Sequence, residues 1–188
     1  MSRDLGESSD HIVDATIEVL GEVGLKGATT RAIASRAGVN EVTLFRHFGS
    51  KKLLVAHAIE ALAERCSKEI IYTGNIEADL EHIITEYDSI IEDLGPAFST
   101  VITEVARDPE MRPEFDGIQR IYENIGSILR RYQEDGLLRD EPIDSLLMAF
   151  GGPVVVRYLS PLFKGARERA PFDAHEHVQR FLHGRSAR

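Results

Sequence analysis

Apolar residues along this chain return at intervals of three and four, and strict alternation is nearly absent, so the pattern predicts helices throughout and no strand. The capping residues Ser8, Ser9 and Asp10 precede a first helix that carries Ile12, Thr16, Val19, Leu20 and Val23 on one face and stops at Gly24. Two short helices are expected near residues 30–37 and 41–48. A longer one starts after Ser50 and runs to about Tyr72, with Leu53, Leu54, Ala58, Ile59, Leu62 and Cys66 as its buried stripe, and Thr73-Gly74-Asn75 ends it. Further helices are expected at residues 76–94, 96–107, about 113–135, 142–163 and 173–183, punctuated by Gly95-Pro96, Asp108-Pro109 and Gly136. The reading is an all-α chain of about nine helices, without internal repeats.

Within the segment from Ala28 to Phe48 each position has a mechanical reason. Thr29 caps the second helix, in which Ile33 and Ala37 face inward and the small Ala34 lets the next helix cross closely. Gly38 takes the left-handed conformation that turns the chain sharply, and Val39 plugs the turn. Asn40 caps the third helix, whose inner stripe is Leu44 and Phe48, leaving Glu41, Val42, Thr43, Arg46 and His47 facing outward. Two short helices joined by a Gly-containing turn are the layout of a helix-turn-helix, whose second helix lies in the major groove of DNA. A plain helical hairpin also needs Ala and Gly at a close crossing. It does not need an outward face of Thr, Arg and His, nor Ser50-Lys51-Lys52, which sets basic side chains beside the free N–H groups that open the fourth helix.

Charge changes this picture only once it is divided. The formal net charge of −9 argues against nucleic acid if taken whole. Residues 1–55, however, hold seven Lys or Arg and seven Asp or Glu, and Lys26 to Lys52 carries six basic residues against the single acid Glu41. A local excess of this kind on an acidic chain is the footprint of a phosphate-contacting surface. A composition 43% hydrophobic and 28% charged is too apolar for general disorder, and no apolar run approaches the roughly 20 residues that span a bilayer. The acidic, polar first ten residues lack the order of a secretory signal, so the expected compartment is the cytoplasm, with no membrane partner. The single cysteine, Cys66, rules out an intrachain disulfide and a Cys-based metal cage and is read as structural.

The run Thr29-Thr30-Arg31-x-Ile33-Ala34-x-x-Ala37-Gly38-Val39-x-x-x-Thr43-Leu44-Phe45-x-His47-Phe48-x-Ser50-Lys51 resembles the DNA-binding signature of TetR-like regulators over about fifty residues. The resemblance implies a DNA-binding domain at residues 1–50, joined to an effector-binding and dimerisation domain at 51–188. It implies that Thr30, Thr43, Phe45, His47 and Lys51 hold the phosphate backbone while Arg31, Glu41, Val42 and Arg46 approach bases, with Thr29 and Asn40 completing the set. Three positions depart from the family pattern: Phe45 stands where tyrosine is common, Asn40 where serine often stands, and Glu41 where an acid is rare.

Beyond Ser67 the helices carry more apolar residues than one amphipathic stripe needs, most of all in the helix expected at 142–163. A helix apolar nearly all round must be buried on both sides, either as the central core helix of a monomer or between its own bundle and the same helix of a second subunit; in the second case the last helix (Val178, Phe181, Leu182) would complete a four-helix interface, an arrangement the resemblance also implies. Gly151-Gly152-Pro153 would either kink that helix or admit a close neighbour. Tyr87, Phe98, Phe115, Tyr122 and Phe150 are candidates to line a cavity for a small, largely apolar effector, or equally to be plain core. His175 and His177 are spaced wrongly for one helix face, which speaks against a metal site. No phosphate loop, nucleophile elbow or paired metal motif suggests an enzyme or a cofactor. The expected function is a homodimeric, ligand-responsive repressor released from a palindromic DNA operator. The alternative is a small-molecule-binding helical protein of regulator ancestry without DNA binding.

Overall fold

The computed structural model describes residues 2–107, 116–159 and 171–185, with the side chains of 9–103, 116–159 and 171–185. Among these residues the architecture is all-α, with nine helices and no strand: α1 (Ser2–Gly27), α2 (Thr30–Arg36), α3 (Glu41–Phe48), α4 (Lys51–Glu69), α5 (Ile76–Leu94), α6 (Ala97–Arg107), α7 (Asp116–Glu134), α8 (Ile143–Leu159) and α9 (Ala174–His183). They form two compact units, one of residues 1–64 with 91–118 and the other of 65–90 with 119–188, so α4, α5 and α7 each supply both.

In the first unit α1 begins at Ser2, six residues ahead of the expected caps, so Ser8 to Asp10 lie inside the helix. It departs from helical geometry at Gly24 (φ 69°, ψ 175°), where the sequence calls for a stop. Ile12, Thr16, Val19 and Leu20 are buried, and the Thr16 hydroxyl donates to the Ile12 carbonyl four residues back. Val23 is 52% exposed, a correction to the expected stripe: it is in phase, but it stands where the helix leaves regular geometry, directly before Gly24. Leu53 is likewise exposed, because the buried stripe of α4 is Leu54, Val55, Ala58, Ile59, Leu62 and Ala63, and Leu53 lies on the opposite side of that helix. Gly21 and Gly95 bring α1 against the turn between α5 and α6. A Cβ added to Gly21 would fall 2.6 Å from the Asp93 carbonyl oxygen, and one on Gly95 would fall 2.5 Å from that of Gly21.

In the second unit α4 ends at Glu69, short of the expected Tyr72. The cause is a buried carboxylate. Asp79 accepts hydrogen bonds from the Thr73 backbone N–H and hydroxyl, both 2.6 Å, and from the Tyr132 hydroxyl, which draws the chain after α4 out of helical register. Burial alone would raise the Asp79 carboxyl, but the Thr73 and Tyr132 hydrogen bonds outweigh it and hold the group below its ordinary range. Cys66 is buried, and desolvation, with Glu86 and Glu69 adding to it, pushes its thiol up to about 12. α8 continues through Pro153, burying Leu146, Phe150, Val154 and Tyr158 on one side and leaving Met148 and Val156 exposed on the other. The expected extension of this helix to Phe163 runs into residues outside those described.

Candidate nucleic-acid interface

The site is built by two short helices whose ends are fixed by side chains. Thr29 Oγ1 accepts from the Ala32 N–H at 3.1 Å and opens α2; Asn40 Oδ1 accepts from the N–H groups of Val42 (2.6 Å) and Thr43 (3.4 Å) and opens α3. Between them Gly38 has φ 67°, the left-handed geometry that only glycine adopts freely. Ile33, Ala34, Leu44 and Phe48 are buried, while Ala37, at the end of α2, is half-buried. Anchored this way, α3 leaves Val42 73% and Phe45 44% exposed, with Arg46 exposed beside them and Arg31 exposed on α2.

The polar residues of this surface differ in how far they are already engaged. Arg31 and Arg46 extend into solvent. Thr30 and Glu41 are joined across the two helices, the Thr30 hydroxyl donating to Glu41 Oε2 at 2.8 Å. Lys51 Nζ donates to the Leu25 carbonyl oxygen at 2.7 Å, tying the start of α4 to the end of α1 while leaving two of its three N–H groups for another acceptor. His47 is half-buried, and its Nε2 is buried without a hydrogen-bond partner among the described residues. Arg36 is withdrawn from the basic footprint counted in the sequence: it holds Glu18 and Glu22 of α1, each at 2.8 Å, and these hydrogen bonds lower the Glu22 carboxyl and raise the guanidinium.

The surface is the outward face of a helix-turn-helix, and the family comparison places it. Residues 12–58 match the family model for bacterial regulatory proteins, tetR family. Residues 12–58 thus carry a TetR-type DNA-binding segment. Its head is 42% identical over 55 residues to the class D tetracycline repressor of Escherichia coli, a match covering 29% of this chain and 25% of that repressor's length. A longer match, 26% identical over 147 residues, covers 74% of the chain and 75% of the nucleoid occlusion factor SlmA of Vibrio atlanticus. Among solved structures, a TetR family transcription regulator from Marinobacter aquaeolei shares the fold over 100% of both chains, with a TM-score of 0.70 at 16% identity. A protein of Saccharomonospora viridis, described as a transcriptional regulator and solved in complex with choline, aligns at a TM-score of 0.75 and 20% identity, covering 97% of this chain and 100% of that one. The chain spans about a quarter of the length of the tetracycline repressor it matches, and the solved structures show that the likeness of fold extends over the body.

The aromatic candidates of the body are divided by the structure. Tyr87 of α5 and Tyr122 of α7 meet through their hydroxyls at 3.0 Å with the rings edge to face, and burial holds the Tyr87 phenol above its ordinary range. Gly151 of α8 admits the Tyr87 ring, whose Cε1 lies 3.5 Å from where a Cβ would stand. Phe150 is buried against Phe181 and His177 of α9. Phe98 is buried in the other compact unit, and Phe115 lies outside the described residues. His175 and His177 serve different partners, Glu81 and the Phe150 carbonyl oxygen, and no group of three metal-ligating side chains occurs among the described residues. Nor is any described helix long and apolar enough to cross a membrane.

Proposed function

We propose that this protein is a cytoplasmic repressor of the TetR family that binds a near-palindromic operator as a homodimer, through the head at residues 1–50, and is released when a small, largely apolar molecule binds the body at 51–188. The observation that carries the reading is the outward face of α3, where Val42, Phe45 and Arg46 are exposed on a helix locked from behind by Leu44 and Phe48. Such a helix offers apolar and bidentate partners to base edges, while Lys51, Thr43 and His47 lie at positions suited to phosphates. The unpartnered Nε2 of His47 is in keeping with that assignment, because a buried polar atom without a partner costs about 1–3 kcal/mol, which an added acceptor would relieve.

One short recognition helix buries too little surface for tight binding, and the exposed Met148 and Val156 on α8 offer a face for a second copy. The effector reading draws on the structural relative that holds choline, and on the excess of acid beyond residue 55, which favours a neutral or cationic ligand over an anion. Light scattering and a DNA shift with random and operator-containing duplexes test the proposal. Lys51→Ala should weaken binding to all sequences and flatten the slope of log affinity against log salt by about one. A monomer with and without DNA, or no salt-dependent shift, would refute it. Two features favour the alternative of a regulator-derived binding protein without DNA affinity: Phe45 lacks a hydroxyl for phosphate, and Glu41 adds negative charge to the DNA-facing surface.

A further inference from the structure

The hydrogen bond between Thr30 and Glu41 joins two residues that the DNA-facing surface would otherwise use separately. Thr30 gives its only hydroxyl proton to Glu41 Oε2 over 2.8 Å, from the start of α2 to the start of α3. While that bond stands, Thr30 has nothing to donate to a phosphate oxygen, which can only accept. The carboxylate, in contrast, has room for about four hydrogen bonds and has used one. Its neighbour Asn40 has its side-chain oxygen occupied by the cap, and Val42 is exposed on the other side. Glu41 is thus an acceptor-only group, half-buried and steadied by a partner on another helix, at the end of the helix that faces base edges.

We propose that Glu41, positioned by Thr30, is a specificity-determining residue that accepts a hydrogen bond from the exocyclic amino group of a cytosine in the major groove. The inference rests on the DNA-binding reading above. Only cytosine N4 and adenine N6 present donors in that groove. The adenine amino group sits beside the N7 acceptor, whose lone pair repels a carboxylate, whereas cytosine N4 is flanked by a C–H. Guanine and thymine offer acceptors at O6, N7 and O4, so a fixed carboxylate rejects them by repulsion as well as by the missing bond. The bond from Thr30 restricts the Glu41 side chain before DNA arrives, which reduces the ordering needed on binding.

Selection from randomised duplexes with the full chain tests this. The wild type should return a cytosine at one position of each half-site, and replacing that base should lower affinity roughly 5- to 150-fold. Glu41→Gln supplies a donor and an acceptor together, so the same position should turn to adenine while the others stay. Glu41→Asp, which keeps the charge but withdraws the acceptor by one methylene, should lose the cytosine preference and serves if the Gln variant folds poorly. Thr30→Ala should broaden this position more than any other, and Thr30→Ser should restore it. An unchanged consensus for both Glu41 variants overturns the proposal and leaves DNA binding standing. An undiminished cytosine preference in Thr30→Ala overturns the positioning role. A wild type that enriches no sequence overturns the DNA-binding reading, and this inference with it.

Discussion

Replacing Gly21 by alanine adds one methyl group and sets two effects of opposite sign against each other. Alanine favours a helix interior over glycine by about 1 kcal/mol. The new Cβ, however, would lie 2.6 Å from the Asp93 carbonyl oxygen, a backbone atom that cannot swing aside. Overpacking of this kind typically costs about 1–3 kcal/mol. The expected net result is a loss of up to about 2 kcal/mol. Gly95→Ala meets the same contact from the other side, 2.5 Å from the Gly21 carbonyl oxygen, and gains nothing from propensity. It also places a side chain at φ 47°, a left-handed geometry that costs about 1–2 kcal/mol. Its loss should be larger, about 2–5 kcal/mol. Because both substitutions relieve themselves by parting the same two backbones, the double variant should lose less than the sum. Urea midpoints at constant m-value measure all three, and each kcal/mol should move the melting temperature of a chain this long by about 2–4 °C. If Gly21→Ala gained the full helical increment, or the double variant were additive, the close approach of α1 to the α5–α6 turn would be wrong.

Asn40→Ala should cost about 1 kcal/mol through loss of the α3 cap, with Asp or Ser at the position recovering most of it in urea titrations; an unchanged midpoint would deny the cap its role. The lowered Asp79 carboxyl makes a pH prediction: its contribution to stability is present above the unfolded carboxyl range and is lost as pH falls through the lower folded value. Stability should therefore drop below about pH 4, and Asp79→Asn should be less stable at pH 7 with a shallower acid limb, while an identical pH profile would remove Asp79 as the source. Cys66, its thiol pushed up to about 12, should resist a thiol reagent at pH 8 in the native state and react after denaturation; labelling of the native protein at the rate of a free thiol would contradict its burial.

What the sequence made legible is local. Gly24 and Gly38 mark left-handed turns, and Thr29 and Asn40 accept the N–H groups that follow them, because a cap needs only residues two or three apart. Spacing of three and four likewise placed α5, α6 and α9 within about a residue. The misplacements each required knowing which surface arrives from elsewhere in the chain. The end of α4 depends on Asp79 and on Tyr132, 53 residues further on. Val23 repeats the apolar pattern without being covered, so periodicity alone misassigns it, whereas Leu53 is apolar but out of phase with the buried stripe of α4.

The basic footprint follows the same division, with a consequence for the site. Six basic residues between Lys26 and Lys52 looked like a single phosphate-facing set. Arg36 instead holds Glu18 and Glu22, residues that fall outside that window, so its positive charge is spent within the head rather than offered to a phosphate. The neutral charge of residues 1–55 therefore hides an internally paired group on α1 and α2 beside a set of cations that includes the exposed Lys26, Arg31, Arg46 and Lys52 and the tethered Lys51. On the proposed DNA-binding reading, these cations supply affinity without regard to sequence, and the preference for particular bases rests on groups such as Glu41 and the exposed Val42.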